Sequence, residues 1–527
     1  RLSFKEKPDL DASHTYKVTI ISTDKYGKQV SKDFEILYLT NDDDTETLSG
    51  NPDLVIGGDA NDKIIGTAEA NHLKGGDGND HLIGAGGPEG VNAWTDFLDG
   101  GSGDDVLDAS QGTSSNRGAY VLPGLGNDTV LGNETLWNSM DGIDLGYWNV
   151  GDVGGITVNV GENGSGTVVS GDGQINDTFT FTQVFAGTMG DDIFNGSDTS
   201  SEPDRKEFFL PFQGSDEVYG NGGHDILHYD TGSWHDGIEV DFAKGTASHV
   251  AKFSGIEEVR GSPSDDTVTA EGYDLDIKVQ GGDGDDTITG GTGDDTIYGD
   301  DGDDTLKGGD GDDVIKGGNG HDILYGEGGL NQIKGGTGND TIHVGDGSTS
   351  IDGDEGNDII YGSSQDDGDI DGDEGNDTIY GRAGDDSLDG DEGDDTIYGE
   401  AGDDAVDGDD GDDKLFGGEG DDSIWGDAGD DIIDAGKGRD WIETGVGNDI
   451  VVIRSGEGLT DGRADHLTDF ADGSDLIGLD GINYSDLTIS ATTSGSMISM
   501  GIENLVYIEG IDIADLTEAD FVAYDIV

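Results

Sequence analysis

From residue 281 to residue 452 one apolar position returns every nine residues: Ile288, Ile297, Leu306, Ile315 and onward to Val451. Glycine and polar residues fill most of the positions between. Nine units run in register over 281–361, a ten-residue unit (362–371, GSSQDDGDID) carries one insertion, and nine more follow over 372–452. In the eighteen regular units the fourth position is always Gly, from Gly284 to Gly447, and the eighth is always apolar. The sixth is Asp in sixteen of the eighteen, failing only at Asn331 and Thr349. One inward side chain per unit predicts a three-residue strand with its middle residue buried, preceded by a six-residue turn. Two units make one coil, so residues 18 apart stack on the same face and neighbouring coils bury one another.

The turn carries the chemistry. Glycine at fixed positions lets the backbone take positive φ and bring carbonyl oxygens inward with no Cβ in the way. Carbonyls and carboxylates are hard oxygen ligands, and a site needing six or more of them suits Ca²⁺ better than a soft metal. The units, as in Gly281–Thr289 (GGDGDDTIT) and Gly308–Lys316 (GGDGDDVIK), resemble the nonapeptide of the RTX (repeats-in-toxin) proteins almost letter for letter over 281–452. That resemblance implies an all-β fold, a calcium-stabilised right-handed parallel β-roll, with several Ca²⁺ ions held between turns two units apart. By that rule Asp286, Asp304 and Asp322 line one edge, and Asp295 and Asp313 the other. The same position holds Asp340, Asp358, Asp377, Asp386, Asp395, Asp404, Asp413, Asp422, Asp431, Asp440 and Asp449 further on, and Asp62, Asp80 and Asp105 in earlier units. The carbonyls of Gly281, Asp283, Gly299 and Asp301 complete the first sites. Asn331 and Thr349 lack the carboxylate and the insertion at 362–371 breaks the spacing, so the rule assigns no ligand there.

Charge sharpens the expectation. Lys plus Arg is 25 against 117 Asp plus Glu, a formal charge of −92, so nucleic acid and anionic membranes are excluded as partners by charge. Only 31% of residues are hydrophobic and 97 are Gly, a composition that approaches the disordered class without ions. If ~10 independent sites each sit at ten times their dissociation constant, linkage supplies ~1.4 kcal/mol per site, or ~14 kcal/mol together. That equals the whole stability of a typical domain. There is no cysteine, so neither disulfides nor thiolate metal sites exist. No run approaches 18 apolar residues, so no transmembrane segment is expected. The start, RLSFKEKPDL, has no leader pattern and reads as the C-terminal part of a longer protein.

The flanks divide into further parts. Residues 1–45 contain two alternating stretches, Tyr16–Ile21 and Phe34–Tyr38, around Asp24-Lys25-Tyr26-Gly27, a hairpin pattern. They resemble the last strands of a cadherin-like or Ig-like β-sandwich, a partial module; the other reading is a hairpin capping the solenoid. Residues 46–110 form a first, looser RTX block (GGDANDKII at 57, GGDGNDHLI at 75, GGSGDDVLD at 100). Residues 111–280 resemble the spacers that interrupt RTX arrays and are expected to continue the solenoid with longer strands; a separate globular fold is the alternative. After the regular roll at 281–453, residues 454–527 resemble the closing β cap and type I secretion signal of RTX proteins.

A search for catalysis finds no HExxH, GxSxG or P-loop, and no catalytic residue is assigned. His224, His228 and His235 are the closest histidines, but two fall inside a repeat unit, and no thiolate accompanies them. The ninth position carries Tyr361, Tyr380, Tyr398 and Phe416 on alternate units, with Asp371, Asp389 and Asp407 before Trp425 on the opposite sheet. Such a ladder either stiffens the sheet by mutual stacking or offers a docking surface. The leading expectation is a non-enzymatic, calcium-binding secreted or cell-surface protein: an adhesin, biofilm matrix or surface-layer component. Its expected partners are the type I secretion machinery and, outside, copies of itself, neighbouring surface proteins, polysaccharide or lipopolysaccharide. The alternative is the secretion and folding module of an RTX protease, lipase or toxin with its catalytic domain upstream.

Overall fold

A three-residue strand with one inward side chain cannot bury itself; it needs a copy on either side. The computed structural model describes residues 14–23, 29–38, 45–47, 54–66, 72–84, 96–110, 119–132, 143–150, 153–161, 164–198, 206–229, 237–345, 350–456, 463–471 and 473–524. These form two compact units, Arg1–Tyr229 with Gly245–Arg260, and Asp230–Lys244 with Gly261–Val527. The division falls inside the 111–280 stretch that the sequence groups as one. Among the described residues there is no α-helix, only strands and two 3-10 turns.

In the second unit the inward residues form two columns. One runs Val279, Ile297, Ile315, Ile333, Ile351, Ile370, Leu388, Val406, Ile424 and Ile442, each in parallel register with the next. The other runs Val268, Ile288, Leu306, Leu324, Ile342, Ile360, Ile379, Ile397, Leu415, Ile433 and Val451. All are fully buried, each burial contributing ~1.5–3 kcal/mol. One apolar side chain per nine residues is still a thin core. The insertion lengthens one coil to 19 residues (Asp358 to Asp377) without breaking either column, and the strand Ile370–Asp371 shortens to two residues.

Beyond the repeats both columns continue. Ile442 pairs with Leu467 and Leu467 with Ile508, while Val451 pairs with Ile477 and Ile477 with Phe521. Strands Thr488–Ala491, Gly495–Met500 and Glu503–Glu509 then form an antiparallel sheet. The tail thus covers the last regular coil, the β cap expected of 454–527.

The first unit is the same roll with irregular coils. Strands Gln29–Tyr38, Leu54–Ile56, His72–Asp77, Phe97–Ser102, Tyr120–Leu125, Ile143–Gly146, Thr182–Ala186, Lys206–Leu210, His224–His228 and Glu258–Arg260 pair in parallel, one with the next. The region around 179–209 packs rings where the regular coils pack Ile or Leu: Phe179, Phe185, Phe209 and Phe194 lie 5.3 to 6.0 Å apart. An excursion, Ile156–Val160, Gly166–Ser170 and Asn176–Thr180, is antiparallel. At the N-terminus His14–Thr23 pairs antiparallel with Gln29–Tyr38, whose Ile36 pairs in parallel with Leu54. The hairpin's second strand therefore pairs directly with the first strand of this sheet. Its turn, Asp24 to Gly27, lies outside the described residues.

Candidate metal centre

The turns are shaped by contact between successive coils. At the fourth position a Cβ on Gly302 would collide with the carbonyl oxygen of Gly284 one coil earlier, and Gly302 has a φ of +144°. Any larger residue would push the coils apart, which accounts for the invariant glycine. The N–H of Gly284 donates to the carbonyl of Asp301 in the next coil at 2.8 Å, and Asp283 lies in register with Asp301. At the first position the place a Cβ on Gly281 would fill is crowded by a carboxylate oxygen, Asp286 Oδ2, and lies 2.7 Å from the Gly299 carbonyl oxygen. A carboxylate and a carbonyl from successive coils thus converge on a point kept free by glycine.

Each sixth-position aspartate is bonded to its successor. The N–H of Asp286 donates to Oδ1 of Asp304 at 2.7 Å, Asp304 to Asp322 at 2.8 Å, and Asp322 to Asp340 at 2.7 Å. The series continues through Asp358, Asp377, Asp395, Asp413, Asp431 and Asp449. On the opposite edge Asp295 donates to Asp313, and after a break Asp386, Asp404, Asp422 and Asp440 follow one another. In the first unit Asp62, Asp80 and Asp105 are linked likewise. This spends one oxygen of each carboxylate. The other, Oδ2, is buried without a hydrogen-bond partner in Asp80, Asp105, Asp286, Asp304, Asp313, Asp322, Asp340, Asp358, Asp377, Asp386, Asp395, Asp404, Asp413, Asp422, Asp431, Asp440 and Asp449. Asp62 and Asp295 differ: Oδ2 accepts the N–H of Gly58 at 2.8 Å and of Gly291 at 2.7 Å, so the turn closes on itself.

Burial dominates the electrostatics. It pushes Asp286 and Asp358 up to about 8, and Asp313, Asp322, Asp395, Asp413, Asp422 and Asp431 up to about 7, against the pull of the backbone hydrogen bond each accepts, with neighbouring aspartates adding to the rise. Asp304, Asp340, Asp377 and Asp404 rise to about 6 for the same first reason. A column of buried carboxylates with unpaired oxygens beside free carbonyl lone pairs is a strained arrangement unless a cation joins them. All the donors are hard oxygens, so the residues fit calcium. When bound, it would supply the positive charge that lets the column stay ionised.

Several ladder members were not legible as such. Asp367 sits inside the ten-residue unit, and its N–H donates to Asp386 at 2.8 Å. Asp266 precedes Asp286 in the ladder, and Asp475 follows Asp449. In the first unit Asp105 is followed by Asp128 and then, 49 residues on, by Asp177, whose Oδ2 accepts the buried Tyr147 hydroxyl. Asp192 and Asp216 form another step. A Gly followed five residues later by the second Asp of a doublet marks Asp192 (GTMGDD), Asp266 (GSPSDD) and Asp367 (GSSQDD); nothing of the kind precedes Asp177. Asn331 keeps the ladder bond, its Oδ1 accepting from Asp313 at 2.9 Å, with one charge fewer. Thr349 lies outside the described residues. The fifth position has a ladder of its own: Asp303 N–H donates to Asp285 Oδ1 and Asn357 N–H to Asn339 Oδ1, which explains Asp or Asn there.

Of the other candidates, His224 pairs with Glu258 at 2.8 Å, His228 packs on Phe208, and His235 lies outside the described residues. Tyr361, Tyr380, Tyr398 and Phe416 stack at 4.7 to 5.1 Å, and the column extends back through His343 to Tyr325. The ring faces are spent on one another, which is the stiffening arrangement.

Comparison with known proteins agrees with this geometry. The profile of the RTX calcium-binding nonapeptide repeat (4 copies) matches residues 56–88, 95–114, 213–233, 280–333, 334–368, 371–406 and 407–456. No curated protein matches the chain. Among solved structures, the extracellular lipase LipA from Serratia marcescens aligns at 13% identity over 59% of this chain, with a TM-score of 0.15. The aligned part spans 45% of that lipase. No helix among the described residues is long and apolar enough to cross a membrane. The matched segments are RTX calcium-binding repeats, and their number implies several Ca²⁺ ions to a chain.

Proposed function

We propose that this chain is a calcium-folded, non-enzymatic structural or adhesive module that acts outside the cell, as part of an adhesin, biofilm matrix or surface layer. The carrying observation is the unbroken column of buried, half-bonded carboxylates from Asp286 to Asp449. Without calcium a chain of net charge −92 repels itself and stays open, the form that a type I exporter passes. With millimolar calcium outside, the same carboxylates become the bonds between coils. Proteins with this repeat are typically secreted, and the tail 454–527 is the candidate export signal.

Two measurements test the reading. Circular dichroism of the metal-free chain should show mostly coil, turning to β cooperatively with millimolar Ca²⁺ and poorly with Mg²⁺, which demands a smaller octahedral site. A fully folded chain in chelator refutes calcium-driven folding. Labelled, calcium-loaded protein should adhere to the producing cells or to their extracted polysaccharide, and release on chelation. A chain that folds with calcium yet binds neither points to the folding module of an upstream enzyme.

A further inference from the structure

We propose that the ring column is a site of oxidative cross-linking: under a peroxidase-type one-electron oxidant, Tyr380 joins Tyr361 or Tyr398 through their ortho carbons, giving dityrosine. The chain has no cysteine, so no disulfide can tie one coil to the next. Of its 16 tyrosines, three follow one another in this column. Tyr361 lies in register with Tyr380, and Tyr380 with Tyr398, on parallel strands. The ring centroids are 5.1 and 4.9 Å apart, with planes 8° and 5° from parallel.

Parallel register makes the stack a translation. Neighbouring strands lie ~4.8 Å apart, so each ring carbon stands roughly that far from its copy on the next ring. Aromatic χ2 is a soft torsion, and a modest turn about it brings two ortho carbons together. The three rings are half-buried, and no hydrogen bond among the described residues ties their hydroxyls down. An oxidant therefore reaches the phenol while the stack holds its partner in place. The two other tyrosines of the regular coils lack such a neighbour. Tyr298 is flanked by the Lys278 and Lys316 ammonium groups, each 5.7 Å from its ring, and Tyr325 stacks on His343.

The step balances as follows. Each of two phenols gives one electron to the oxidant and its hydroxyl proton to water, leaving a neutral phenoxyl radical with spin on the ortho carbons. The two radicals pair to form the carbon–carbon bond. Each ortho carbon then loses its hydrogen as a proton and each oxygen regains one, restoring both phenols. The chain ends two hydrogens lighter, and hydrogen peroxide, taking up two electrons and two protons, becomes two waters. The link joins adjacent coils, and a cross-link stabilises mainly by restricting the unfolded chain. That stretch of the roll therefore stays closed when calcium is withdrawn.

The site needs the folded roll but neither an adhesive nor an export role. The test treats the full chain, dilute and in saturating calcium, with hydrogen peroxide and a haem peroxidase. It should gain the blue fluorescence of dityrosine while remaining a monomer. Its digest should contain peptides joined through 361 and 380, or 380 and 398, and lighter by two hydrogens. Tyr380→Phe keeps the ring but removes the phenol common to both pairs. It should cut the yield roughly tenfold, as losing a pre-positioned partner does to an intramolecular reaction, whereas Tyr298→Phe should leave it. In chelator the linked chain should keep hydrogen-exchange protection over 353–407 that the unlinked chain loses. An unmoved yield in Tyr380→Phe, links only between chains, or links spread over tyrosines outside the column overturns the site. A linked chain that opens in chelator as far as the unlinked one overturns the stapling. An unlinked chain protected in chelator overturns calcium-driven folding instead, with the link still judged by its peptides.

Discussion

Acid should do in part what calcium does, because a proton and a cation relieve the same buried carboxylates. In the folded chain burial lifts the ladder from about 6 at Asp304 and Asp377 to about 8 at Asp286 and Asp358. An unfolded aspartate titrates near ~3.9. A carboxyl whose folded value is raised favours folding most fully below the unfolded value, and loses that contribution as pH rises through the folded one. The window is therefore about pH 4 to 8, with stability falling as pH climbs. Between its two values each carboxyl contributes a slope of ~1.4 kcal/mol per pH unit. Five ladder aspartates titrating together give ~7 kcal/mol per unit, comparable with the entire stability of a typical domain. Metal-free chain should be mostly coil at pH 8 and gain β-type circular dichroism by pH 5, with sedimentation confirming that the gain is not aggregation. With calcium, the spectrum should be β at both. A metal-free chain equally folded at pH 5 and pH 8, or folded only at pH 8, would refute the linkage between burial and calcium demand.

Asp395→Ala should raise the calcium midpoint of folding roughly tenfold in a circular-dichroism titration, whereas Thr349→Ala, at a turn that already lacks the carboxylate, should leave it; equal shifts sink the ligand rule. Gly302→Ala forces a side chain into the Gly284 carbonyl and should cost on the order of 3 kcal/mol or more, seen as a lower melting temperature in saturating calcium. Tyr380→Ala removes two stacked contacts, at 5.1 and 4.9 Å, and should cost ~1–3 kcal/mol while leaving the calcium midpoint in place. An unchanged melting temperature would show that the ladder contributes no stability.

The period of nine is a local property, and it determined the roll. An apolar eighth position and a glycine fourth position recur because every coil meets an identical neighbour, so the sequence itself carries the stacking distance of 18 residues. The candidate ligands from Asp286 to Asp449 were legible for that reason, and so was the column of rings from Tyr361 to Phe416. Once the neighbour is not identical the period disappears while the contact remains. Asp177 lies 49 residues beyond Asp128 and still accepts its N–H, because the antiparallel excursion brings the chain back to the same edge. Glu257 likewise lies 32 residues beyond Asp225 and accepts its N–H. Tertiary structure alone also decided which carboxylates are left half-bonded. Asp295 and Asp313 look the same in sequence, but Asp295 begins its edge, so the Gly291 and Ile277 N–H groups fill both its oxygens, while Asp313 is left with one bare. A residue's need for a cation depends on what the coil before it has left unsatisfied, and no nine-residue window contains that coil.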